Sequence, residues 1–186
     1  MTAALKRRRF TVDEYHRMVE AGILTPHDRV ELLEGEIVEV PLAGGRHAGQ
    51  VKRLSSLFAV RLGPRVIVRV DSPLRLTADS EARPDFALLR SRSDSYQGLP
   101  PSPDDVIVLA HVLDAAAEID RRVKTPLYAR AGIRETWLLD VSAHRLEAYR
   151  NPGADGYRDL RILRRGESLT IEALPDLTLS VGDLLG

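Results

Sequence analysis

Cysteine is absent from the 186 residues, which rules out a disulfide framework and any thiolate metal site. Net charge of either sign is absent too, since 27 Lys and Arg balance 27 Asp and Glu. A protein that holds nucleic acid mainly by its phosphates usually carries a basic excess. Affinity of that kind would have to come from a local patch, and Lys6-Arg7-Arg8-Arg9 and Arg121-Arg122 are the two clusters that could supply one; the alternative for both is solvated surface. No apolar run approaches the roughly 18–20 residues that span a bilayer. The basic start, residues 1–9, leads into charged and polar sequence rather than the apolar stretch of a secretory signal. These absences lead to the expectation of a cytoplasmic protein with no membrane partner. Walker loops, dinucleotide glycine fingerprints, Gly-x-Ser-x-Gly elbows and zinc-protease helices are all missing.

What is present is ordinary globular sequence, 44 % hydrophobic and 29 % charged. The length fits one domain over 1–186, with 1–9 flexible. Thr11 followed three residues later by Glu14 has capping-box spacing, and Val12, Tyr15 and Val19 continue at helical intervals toward Gly22. Glu34-Gly35 reads as a hairpin turn between strands at 30–33 and 36–40. Residues 46–62 place Val51, Leu54, Leu57 and Phe58 on one helical face. Strands are expected at 66–70, 74–76 and 84–89, and then at 106–112, whose near-continuous apolar run fits a strand covered on both faces. A Ser- and Pro-rich loop fills 91–105. Residues 118–131 read as a helix that Pro126 should kink or restart, with Thr125 as cap of the second piece. Strands at 135–140 and 145–150, with shorter ones after Tyr157, complete an α/β chain: a mixed sheet flanked by helices.

Several residues could carry chemistry. Asp85 follows a proline at the mouth of a buried strand, where a carboxylate is costly unless it is paired or holds a cation. It is either a metal ligand or an ion-pair aspartate. Glu31 and Glu36 flank the hairpin turn and offer hard oxygen ligands for magnesium, or exposed charge. His111, inside the apolar strand, is a ligand or proton carrier, or else a satisfied core histidine. Asp120 and Lys124 share a helix face, as a solvent-side pair or as a lysine that neutralises charge in phosphoryl transfer. Arg46 and His47 stand at a helix mouth that favours anions such as phosphate. His16, His27 and His144 have no companions at metal-ligand spacing.

The order FTVDEYHRM, RVELLEGEIVEV, GGRHAGQV, SEARPDFALLR and then VIVLAHVLDAAAEIDRRVKTPLYARAGIRETWLLD resembles the Uma family of restriction-endonuclease-like proteins, a branch of the PD-(D/E)XK nuclease superfamily. The resemblance runs from Phe10 to about Leu185, and 124–140 is its most specific stretch. It implies a restriction-endonuclease-like core, a central mixed sheet with helices on both sides. It also implies a site using magnesium or manganese on phosphodiesters, with nucleic acid as partner (DNA before RNA) and a homodimer suited to cutting both strands. By position, Glu31, Glu36, His47, Asp85 and Lys124 match residues of the family pattern.

One position departs. Where the family reads Glu-Val followed by Asp and small hydroxyl residues, this chain reads His111-Val112-Leu113-Asp114-Ala115-Ala116. A carboxylate becomes an imidazole, which suits other divalent metals better than magnesium. The resemblance therefore implies either hydrolysis centred on Asp85, with Glu31, His111 and Lys124 assisting, or a binding or assembly module that keeps the fold without the chemistry. Metal-dependent hydrolysis of another phosphate ester is a third option.

Overall fold

Each carboxylate and histidine singled out above lies beside an element whose start or end is set locally. The computed structural model describes residues 7–25, 27–41, 44–113 and 117–186. Helix α1 (Val12–Glu20) begins at Thr11, whose hydroxyl accepts from the Glu14 amide while the Glu14 carboxylate accepts from the Thr11 amide. Strands β1 (Val30–Leu33) and β2 (Glu36–Glu39) form the expected hairpin, with Glu34 and Gly35 both at positive φ, 49° and 78°. Helix α2 (Gly45–Leu62) buries Val51, Leu54, Phe58 and Leu62. Strands β3 (Val66–Val70), β4 (Leu74–Arg75), β5 (Glu81–Ala82), β6 (Phe86–Arg90) and β7 (Val106–Val112) follow.

The helical stretch after β7 departs from regular α geometry. It is built as α3 (Ala117–Ile119), a π-helical turn (Asp120–Lys124) and α4 (Thr125–Arg130). Pro126 has no N–H to offer, so a regular α ladder cannot continue through it. The wide turn absorbs the defect: the Asp120 carbonyl accepts from both the amide and the hydroxyl of Thr125, the latter at 2.7 Å. Thr125 is thus helical and bonds backwards, rather than capping a second helix as the sequence led us to expect. Strands β8 (Glu135–Asp140), β9 (Arg145–Gly153), β10 (Gly156–Arg164), β11 (Ser168–Ile171) and β12 (Leu174–Ser180) lead to α5 (Val181–Leu185).

The central sheet has the order β10-β9-β8-β7-β6-β3, with β7/β8 its parallel pair and α3–α4 the crossover between them. Antiparallel β2-β1-β5-β4 forms a second sheet, and β11/β12 a ribbon. Trp137, Phe58, Phe86 and Val108 pack one face of the central sheet against α2 and α5. Leu89, Leu109 and Tyr128 pack the other against α4 and Leu33 of the hairpin. Val12, Tyr15 and Leu32 seat α1 on the hairpin. Strand β7 is buried along its whole length, as its apolar run demands. Among the described residues, no helix is long and apolar enough to cross a membrane.

The hairpin turn is a point of tight closure. A Cβ on Gly35 would meet the Arg9 Cβ at 2.5 Å, and its φ lies in the left-handed region. Gly35→Ala should destabilise the protein by about 1–3 kcal/mol, read as a lower denaturation midpoint with an unchanged slope.

Candidate functional site

The antiparallel register Phe86↔Ala110 sets the start of β6 beside the end of β7. Pro84 and Asp85 precede the strand, where a missing N–H does no harm to the ladder. Asp85 therefore lies next to His111, and the Val112 amide donates to Asp85 Oδ2 at 2.8 Å. From α2, His47 brings Nε2 to the same oxygen at 3.0 Å. His111 Nδ1 stands 3.4 Å from it and 3.7 Å from Asp120 Oδ1. The other ring nitrogen of His111 is 2.8 Å from the Tyr128 hydroxyl, and the two rings are stacked.

The hairpin adds the second half of the site. Strand alternation in β1 sends Leu32 toward α1, and so sends Glu31 to the opposite side with Leu33. There Lys124 Nζ donates to Glu31 Oε1 at 3.0 Å and lies 3.6 Å from Asp120 Oδ1. The side chains of Glu31, Lys124 and Asp120 are 2, 4 and 5 % exposed. Among the described residues, Glu31 Oε2 and Asp120 Oδ1 have no hydrogen-bond partner. Buried carboxylate oxygens of this kind call for donors from water.

These residues surround a cavity of about 140 Å³ with Arg29 and Arg83 at its exposed mouth, room for several waters. Five carboxylates (Asp28, Glu31, Asp71, Asp85, Asp120) line it, against three fixed cations (Arg29, Arg83, Lys124) and two imidazoles (His47, His111). Among the described residues, no group of three or more His, Cys, Asp or Glu is placed to hold a metal ion.

Burial works to raise the Asp85 carboxyl, but hydrogen bonds from His111 and His47, with their charge, outweigh it and hold the group well below the usual carboxylate range. Burial works to lower the His111 imidazole, but the charge of Asp120 and the hydrogen bond to Asp85 raise it, against opposition from Lys124. Burial, followed by the charges of Glu31, Asp120 and Asp85, holds the Tyr128 phenol well above its ordinary value, so its hydroxyl stays protonated.

Of the residues expected from sequence, Glu31, His47, Asp85, His111 and Lys124 converge on this cavity. Glu36 does not: it lies on the exposed outer strand of the hairpin beside Arg7, at 3.7 Å. Arg46 is exposed at the start of α2 and lines no part of the cavity. Arg121 pairs with Glu147 and Arg122 with Glu118, so that basic cluster is locally neutralised. His16 pairs with Glu81 outside the cavity. Asp114, Ala115 and Ala116 lie outside the described residues, as does Lys6. Sequence reasoning passed over Tyr128 and gave Asp120 no place in the site. The signal was there in the spacing, since 120, 124 and 128 recur at intervals of four.

Removing the ammonium should leave two buried carboxylates facing each other. Lys124→Met is expected to destabilise the protein by about 3–5 kcal/mol in chemical denaturation. The pH dependence follows from the two shifts. The raised His111 contributes stability that is complete below its ordinary value of 6.5 and is lost as pH rises through its folded value. The depressed Asp85 contributes stability present above 3.8 and lost as pH falls through its folded value. Melting temperature should therefore fall on both sides of the window from 3.8 to 6.5. His111→Gln should flatten the alkaline decline, and an unchanged alkaline limb would disprove the assignment.

The Uma2 family model, described as "Putative restriction endonuclease", matches residues 12–182. Among solved structures, the chain is similar to one described as a "putative nuclease belonging to DUF820" from Anabaena variabilis ATCC 29413. The TM-score is 0.74 at 15 % identity, covering 95 % of this chain and 97 % of that one. At this identity the likeness concerns the fold, and it bears out the mixed sheet flanked by helices. No curated protein matches. The family match spans nearly all of the chain, from α1 into α5, and the chain belongs to the Uma2 family of restriction-endonuclease-like proteins.

Proposed function

We propose that this protein engages nucleic-acid phosphodiesters at the Asp85 cavity, and that His111 makes it a poor divalent-metal nuclease. The observation that supports this reading is the environment of Asp85 Oδ2. Three donors, His47 Nε2, His111 Nδ1 and the Val112 amide, converge on Oδ2, one of the two oxygens this carboxylate could offer magnesium. The next two carboxylates, Glu31 and Asp120, already share Lys124. Magnesium requires near-ideal octahedral oxygen geometry and sheds water reluctantly. The residues as arranged do not fit that ion.

What they do fit is an anionic group at the mouth. Arg29 stands there beside Arg83, whose Nε and Nη2 are engaged by Asp71, and a guanidinium fork matches phosphate oxygens in pairs. Lys124 holds Glu31 and Asp120 in place, and Tyr128 holds the His111 ring. Both are positioning residues on this reading. DNA is the first substrate class to test, because the family is described as an endonuclease family.

A second reading, hydrolysis that survives with Asp85 at its centre, is favoured by the unpartnered oxygens of Glu31 and Asp120. A cleavage assay separates the two. Purified protein is incubated with magnesium or manganese and labelled DNA or RNA, and DNA binding is followed by fluorescence anisotropy. The proposal expects binding with cleavage near background, and an increase of about tenfold or more in His111→Glu, which restores a second carboxylate. Asp85→Ala in the His111→Glu background should abolish the gain. Brisk metal-dependent cleavage by the natural protein, undiminished in Asp85→Ala or not raised by His111→Glu, would overturn it.

A further inference from the structure

Strand β10 ends the central sheet, and among the described residues no strand pairs with its outer edge. An edge leaves a row of backbone donors and acceptors open to another chain. Residues 154–155 form a two-residue turn between β9 and β10, which makes Gly153/Gly156 the first hydrogen-bonded pair of the hairpin. Pairing alternates from there, so the backbone groups of Tyr157, Asp159, Arg161 and Leu163 point away from β9. On the side-chain faces, Leu160 and Ile162 are each 50 % exposed, and both lie on this nine-residue strand.

Edge strands of this length are normally blunted by charge, by proline or by a bulge. The register of β10 on β9 skips the Arg158/Asn151 pair but keeps the same offset on either side, without a bulge, and the strand holds no proline. It does carry charge, but in an order that matches itself when reversed: Asp159-Leu160-Arg161.

We propose that β10 is the contact for a second copy of this chain, two β10 strands pairing antiparallel about Leu160. In that register Leu160 meets Leu160 of the partner subunit. Asp159 faces Arg161 of the partner subunit, and Arg161 faces Asp159 of the partner subunit. The backbone groups of Asp159 and Arg161 are the ones already turned outward, so the two ion pairs coincide with the hydrogen-bonded pairs. Charge also excludes the neighbouring registers. A slip that centres the pairing on Asp159 sets two carboxylates opposite each other, and one that centres it on Arg161 sets two guanidiniums opposite. Like charges directly across a strand pair are destabilising. The result is a continuous sheet through both copies, with specificity written in two side chains.

Sedimentation over a range of protein concentrations tests this. The natural protein should show a concentration-dependent dimer. Arg161→Asp places carboxylates against carboxylates twice, and should weaken the dimer on the order of tenfold or more. The double exchange Asp159→Arg with Arg161→Asp restores opposite charges across the contact, and should bring dimerisation back to near the natural level. This rescue also separates a lost interface from a damaged strand. A natural protein that is monomeric throughout, a dimer indifferent to Arg161→Asp, or a double exchange that fails to recover would each overturn the proposal.

Discussion

Lys124 is the cation on which the site half of the molecule closes. Its ammonium is almost fully withdrawn from water and sits between Glu31 of β1 and Asp120 of the π turn. Burial of any of these charges alone would cost several kcal/mol, so none of the three can be lost without exposing the others. The hairpin and the crossover helix are thereby held in one arrangement. The π turn is part of the same constraint. Pro126 forbids a regular helix there, and the wide turn that results buries Asp120 and Lys124 side by side.

Once that triad is fixed, the rest of the cavity follows. Asp120 faces His111 as well as Lys124. His111 in turn is held between Tyr128 and Asp85. A chain of charge-assisted contacts thus runs from Glu31 through Lys124, Asp120 and His111 to Asp85 and His47. Such networks are coupled, so effects of single changes along this chain will not add.

Much of this could be read in the sequence, for identifiable reasons. The Thr11–Glu14 box, the Glu34-Gly35 turn and the apolar run 106–112 each encode their geometry in local residue types. Asp85 could be located because proline before a buried strand fixes where the ladder begins. What was not legible depends on long-range contact. Asp120 and Lys124 have the spacing of a solvent-side pair, and only the approach of Glu31 from 93 residues away makes them a buried one. Glu36 and Arg46 have suitable chemistry, but Glu36, though on the Glu31 face of the hairpin, sits at its turn end on the outer strand, and Arg46 is exposed in the first turn of α2. The register that sets Asp85 against His111 arises from pairing between two strands, and neither segment specifies it alone.

The histidine at 111 gains meaning from charge rather than from ligand chemistry alone. On the proposed reading, in which His111 stands where the family pattern has a glutamate, an imidazolium in place of a carboxylate removes one negative charge and adds one positive, a change of two units. A divalent cation brings the same two units. Five carboxylates line the cavity against three fixed cations, with the imidazoles of His47 and His111 among them. The raised His111 and depressed Asp85 show the two central residues favouring each other's charged form. On the function proposed above, the charged form of the side chain at 111 supplies, from within the chain, part of the compensation that a metal supplies only when bound. A site whose carboxylates are already paired from within the chain has little left to attract a cation.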